Sequence, residues 1–130
     1  MSLKKGDYEA IRDISKQIYD EHSFYVMKGD FLDLFYSNEH LRDDLIRDEP
    51  VERRDLPGWM LAFLAAMVHK LCNDYDLKIP PWVWKDRYYL AEPRFSHDAR
   101  GKMKAWLFVN AAGEFKHRNL FVSADTLDRA

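Results

Sequence analysis

A chain of 130 residues that is 47% apolar and 32% charged is long enough to enclose a hydrophobic core and too apolar to stay disordered. Its formal net charge of −2 excludes a global field drawing it to nucleic acid or an anionic membrane, and its single cysteine, Cys72, excludes an internal disulfide. Aromatic side chains reach 15%, so a few large groups, about 150–250 Å² each, carry much of the area to be buried.

Tyr8, Ile11, Ile14 and Ile18 recur at steps of three, three and four among charged neighbours. That stripe predicts an amphipathic helix over 7–21 with Asp7 as its N-cap. Phe24-Tyr25-Val26-Met27 reads as an aromatic connection ending at Lys28-Gly29, because a lone strand there has no partner for its backbone groups. Asp30 is expected to cap a second helix carrying Phe31, Leu34 and Phe35 on one side. Ser37 or Asn38 then opens a third, with Leu41 and Leu45 inward and Arg42, Asp43, Asp44 and Arg47 outward, stopped by Pro50. After a charged loop over 48–57, a fourth helix starts at about Pro57, where a first-turn proline is well tolerated. It is apolar almost all round through Val68, which predicts a central position, and it turns polar at His69-Lys70 and Asn73-Asp74.

Two adjacent prolines in Ile79-Pro80-Pro81-Trp82-Val83-Trp84 interrupt any helix and predict an extended connection that lays two tryptophans on the core or in a groove. Tyr88, Tyr89 and Leu90 add one turn before Pro93. A fifth helix is expected from about Asp98 to Ala112, with Met103, Trp106, Leu107 and Asn110 or Ala111 sharing the inner face and Gly113 at its end. Leu120-Phe121-Val122 is extended, and Ser123 or Asp125 opens a terminal turn carrying Leu127. No repeat, low-complexity tract or linker interrupts the pattern. The expectation is one domain over 1–130, an all-α orthogonal bundle of about five helices around the apolar helix 58–72.

Candidate chemistry is sparse. His69 and Cys72 lie at i, i+3 on a helix, but zinc needs three or four ligands and no second pair supplies the rest. Glu114-x-x-His117 is half of a carboxylate-bridged di-iron motif that requires two. Cys72 follows a helical stretch instead of opening one, where the dipole would favour the thiolate. Ser96 and Ser123 lack the glycines of a nucleophile elbow, the pairs Asp43-Asp44 and Asp74/Asp76 read as solvated helix-end charges, and no glycine-rich phosphate cradle occurs. Neither a cofactor nor a metal is expected, and an enzyme of unrecognised type ranks third among the readings.

Charge and aromatics suggest surfaces instead. Residues 1–79 hold 11 Lys and Arg against 16 Asp and Glu, whereas 80–130 hold 9 against 6. Arg87, Arg94, Arg100, Lys102, Lys104, Lys116, His117 and Arg118 interleave with Trp82, Trp84, Tyr88, Tyr89 and Trp106, a pattern that suits phosphates and unpaired bases. The plain structural reading is a solvated basic face over an aromatic core. Protein recognition has the better case: Trp82 and Trp84 sit on an irregular connection near Arg87 and Arg94, and Trp and Arg are favoured at interface hot spots. One of the two indoles is expected to remain partly exposed beside Arg87 or Arg94.

The closing stretch Phe115-Lys116-His117-Arg118-Asn119-Leu120-Phe121-Val122-Ser123-Ala124-Asp125-Thr126-Leu127-Asp128-Arg129-Ala130 resembles the ending of a group of bacterial proteins without an assigned activity. Their chains close on Arg-Asn-aliphatic-Phe-Val followed by an acidic-led turn with Leu and Arg. Upstream, Pro80/Trp82, Tyr89-Leu90 and Pro93-Phe95 stand in similar order, so the resemblance covers about the last 50 residues. Such domains occur alone or joined to helix-turn-helix regulators, some beside toxin–antitoxin genes, which implies a regulatory or interaction role. This chain has no helix-turn-helix of its own. Physically, Arg118 and Asn119 after a helix end can bond free carbonyls and fix the tail, with Phe121 and Leu127 as anchors.

The longest apolar run, the ten residues from Trp59 to Val68, is half of the roughly 20 that a membrane-spanning helix needs. The Met1–Gly6 segment lacks a signal peptide's apolar run, and a lone cysteine suits a reducing compartment. The expectation is a cytoplasmic, non-enzymatic module that binds another protein, through a candidate surface of Trp82, Trp84, Arg87, Arg94, Arg118 and Asn119. A nucleic-acid-associated regulator using the basic C-terminal third is the alternative.

Overall fold

A computed structural model describes residues 6–96, 99–123 and 125–129. The chain is mostly helical, with six α-helices and two two-residue strands among the described residues. It divides into two compact units, one running to Leu56 with Arg129, the other spanning Pro57–Asp128. Among the described residues no helix is long and apolar enough to cross a membrane.

In the first unit, α1 (Ile11–Gln17) is shorter than its isoleucine stripe predicts. Asp7 stands outside it, and the Asp13 carboxylate instead accepts the Ala10 N–H at 3.0 Å. Ile11, Ile14 and Ile18 are all buried. At the other end, where carbonyls lack helical partners, Arg53 donates to the Ser15 and Ile18 carbonyls, each at 2.9 Å, with Asp55 holding its far edge.

Residues 24–29 are not a connection but the interior of α2 (Glu21–Ser37). The helix is started by a reciprocal cap. Asp20 Oδ1 accepts the Ser23 N–H at 2.7 Å, and Ser23 Oγ accepts the Asp20 N–H at 2.9 Å. Phe24, Phe31, Leu32 and Phe35 then form a buried stripe, and that packing outweighs the roughly 1 kcal/mol helix penalty of Gly29. Asp30, expected as a cap, lies mid-helix. A 3-10 turn (Glu39–Leu41) leads into α3 (Arg42–Arg47), which buries Leu45 and Ile46 and ends before Pro50. Arg42 does not point outward as expected. It folds back to donate to the Phe35 carbonyl at 3.0 Å and lies over the Phe35 ring.

The second unit is built on α4 (Gly58–Tyr75), where every residue from Met60 to Val68 is buried, together with Leu71 and Cys72. Asp76 in the left-handed conformation (φ 55°) ends it, and the Asp76 and Leu77 N–H groups both reach the Cys72 carbonyl. The double-proline segment is not extended. Pro81 occupies the first position of a 3-10 turn (Pro81–Trp84), where its missing N–H is no loss, and a second turn (Asp86–Tyr88) follows. Both turns pack on α4, as does the short α6 (Gly113–Lys116), whose Phe115 meets Phe63 edge-to-face at 4.9 Å. Gly113 therefore opens a helix instead of closing one.

Leu120–Phe121 is extended as expected and forms β2, paired in parallel with β1 (Arg94–Phe95) in the register Arg94↔Leu120, Phe95↔Phe121. The predicted start of the fifth helix at Asp98 lies outside the described residues, as do Met1–Lys5, Ala124 and Ala130. The helix itself, α5, spans Lys102–Asn110.

Candidate functional site

Two regions of the second unit gather candidate functional side chains. The first centres on Arg118, which has no solvent exposure. It follows α6, so it reaches carbonyls that lack helical donors. Nη1 donates to the Glu114 carbonyl at 3.0 Å and Nη2 to the Val83 carbonyl at 2.8 Å. Nη1 also lies 3.0 Å from His69 Nδ1. A guanidinium only donates, so Nδ1 must accept and the imidazole proton sits on Nε2. Among the described residues Arg118 Nε has no hydrogen-bond partner. The cation lies 4.7 Å from the Tyr89 ring centre and 5.8 Å from that of Trp84, and His69 meets Trp84 edge-on at 4.7 Å.

Electrostatics follow from this packing. Burial, reinforced by the Arg118 charge, holds the His69 pKa below its ordinary value. Burial likewise lowers that of Arg118. For Glu114, burial works upward, but the Asn73 amide at 2.8 Å and nearby Lys70 bring the carboxyl down on balance. The Asn119 side chain donates to the Leu90 carbonyl at 2.7 Å from a left-handed backbone (φ 65°) that asparagine tolerates. With Phe121 and Leu127 buried, the tail is fastened through the groups its sequence offers.

The six residues singled out in the sequence therefore do different things. Trp82 is buried edge-to-face on Tyr88 at 5.5 Å, and Arg118 is enclosed, so neither presents area to a partner. Trp84 is 47% exposed and stands with His69 and Arg118. Arg87 lies over Tyr88, and Arg94 stacks at 4.1 Å on Trp59. Of the metal candidates, Cys72 is buried with its thiol 3.7 Å from the Lys78 carbonyl, and among the described residues no three His, Cys, Asp or Glu converge.

The second region is α5, which sequence reasoning misjudged. Its spacing predicts Met103 and Trp106 on the inner face. Only Leu107 of the helix is buried, joining Ala99, Ala111 and Phe121 in a small core cluster. Met103, Trp106, Phe108 and Val109 are at least half exposed. A helix of nine residues that is apolar on several faces can bury only one, and Leu107 followed by Ala111 takes it. Phe108 stacks on Phe121, which stacks on Phe95, a three-ring column with centres 5.2 and 4.9 Å apart. Beside the helix runs a cleft of about 670 Å³, lined by Met103, Trp106 and Leu107, by Arg100 and Lys102, and by two serines, Ser96 and Ser123. The signal was present in the sequence: six apolar residues among nine, spread around the helix, leave some with no inward place.

In comparisons with known proteins, the chain matches no family model, no curated protein and no solved structure.

Proposed function

We propose that this chain is a non-enzymatic protein-interaction module that docks its partner on α5. The observation that carries the reading is the exposed apolar stripe Met103, Trp106 and Val109, at steps of three on one helix, with Trp106 50% and Val109 69% exposed. Surface helices of a closed domain turn such residues inward, and a contiguous apolar patch edged by charge marks an interaction site. Tryptophan is also the side chain most enriched at hot spots.

The setting we propose is a bacterial, cytoplasmic regulatory or stress-response system. What supports it is the resemblance of residues 115–130 to such domains and a lone, buried cysteine suited to a reducing compartment. For the architecture we propose the orthogonal bundle of about five helices around residues 58–72, supported by the burial of α4 from Met60 to Val68. A second reading, nucleic-acid association, draws support from Arg100, Lys102 and Lys104 close to the exposed indole of Trp106. It is weakened because Arg94, Lys116 and Arg118 of the same basic third are engaged internally.

The test is affinity capture from a native lysate, followed by reconstitution with the purified partner. Trp106→Ala is expected to weaken that binary complex about 30-fold, the effect of losing a 2 kcal/mol hot spot. An unchanged affinity in both Trp106→Ala and Val109→Asp would remove α5 as the docking element.

A further inference from the structure

Resting on the reading of α5 as a docking helix, we infer that the occupant of its cleft is a short acidic amphipathic segment of a partner protein, with apolar side chains flanked by Asp or Glu. The cleft offers Met103, Trp106 and Leu107 to apolar groups, and among the described residues its charged lining is Arg100 and Lys102. At about 670 Å³ it is of a size that takes a few large side chains. From Ala99 to Gly113 the sequence carries Arg100, Lys102 and Lys104 and not one acidic residue.

None of these three cations forms an ion pair among the described residues; the Lys104 ammonium lies over the Phe95 ring instead, 5.6 Å from its centre. Lys102 and Lys104 also fall in the first turn of α5, where the helix dipole makes added positive charge unfavourable. Carboxylates arriving beside the apolar stripe relieve that repulsion while their apolar neighbours cover Trp106.

The same features weigh against the other occupants. Two copies meeting through this face about a twofold axis would set each cationic cluster against itself. A nucleic-acid strand would meet only three cations and would leave the aliphatic surface of Met103 and Val109 without a stacking role.

The experiment is a display selection of random 16-residue peptides on the full chain. Anisotropy measurements on the winners would follow, using the native protein, Trp106→Ala, and the double variant Arg100→Glu/Lys102→Glu. All three positions are at the surface, and circular dichroism checks that each variant folds; Val109→Ser replaces Trp106→Ala should the latter not. The expected winners combine Asp or Glu with Leu, Phe or Trp. They lose about tenfold or more in affinity to either variant, and the charge-reversed protein selects Lys- and Arg-rich peptides instead. Neutral or basic winners that still depend on Trp106 would overturn the acidic occupant and leave the docking helix standing. Winners indifferent to Trp106 and Val109, displacement by a (dT)20 strand, or a dimer abolished by Trp106→Ala would overturn both.

Discussion

At Arg118 one guanidinium joins three places far apart in sequence: His69 on α4, Val83 in the Pro81–Trp84 turn and Glu114 on α6. Removing it strands the buried Val83 carbonyl and the half-buried Glu114 carbonyl, at about 1–3 kcal/mol for a fully buried group, so Arg118→Ala is expected to lower stability by roughly 3 kcal/mol in urea denaturation. Arg118→Lys should fare little better, because one ammonium cannot span the three acceptors. A lysine variant as stable as the native chain would show that charge, not the fork, is what matters there. His69 gives this cluster a pH dependence. Its folded pKa lies below the unfolded value of about 6.5, so the unfolded chain takes up the proton first as pH falls. The contribution is fully present above that value and is lost as pH falls through it toward the folded pKa, where a protonated Nδ1 would face the Arg118 donor. The urea midpoint should drop more between pH 7.5 and 5.5 in the native chain than in His69→Gln. An NMR titration placing His69 at or above about 6.5 would contradict the burial argument.

At the scale of elements, the start of α2 rests on Ser23. Its hydroxyl accepts the N–H groups of both Tyr19 and Asp20 at 2.9 Å, in a position only 6% exposed. Ser23→Ala leaves both donors without that acceptor and is expected to cost about 1–2 kcal/mol, with Ser23→Thr recovering most of it; thermal melts compare the three. This cap also explains what the sequence revealed. The α4 helix was legible because its apolar run is long and continuous, and the fastening by Arg118 and Asn119 because orphan carbonyls demand donors. The α2 helix was not. Asp20-x-x-Ser23 lacks the usual Ser/Thr-x-x-Glu/Gln order, and an aromatic cluster followed by Gly29 imitates a break. The pairing of β1 with β2 involves two residues on each side, too few to show alternation. The His69 partner of Arg118 lies 49 residues away, beyond any local pattern. On α5, the rule that apolar helix positions face inward concealed the exposure of Met103, Trp106 and Val109.

At the scale of the whole molecule, electrostatics gives a test that separates the proposed protein partner from a polyanion. The chain is acidic overall at −2, and its basic C-terminal third is partly spent on internal contacts: Arg94 on Trp59, Lys116 on the Val109 carbonyl, and Arg118 out of solvent. The cations left together on α5 and its approach are Arg100, Lys102 and Lys104. Neutralising about three phosphates gives a salt slope of magnitude about 3 in a log–log plot, too shallow and too weak for retention at about 0.15 M salt. The chain should therefore pass through a heparin column at that ionic strength. An acidic peptide should still bind, because burial of its apolar side chains against Trp106 does not depend on counterion release; added salt should slow its association more than it speeds its release. Retention on heparin persisting beyond about 0.5 M would require many more phosphate contacts than α5 supplies, and the basic third would then have to be read as a nucleic-acid surface.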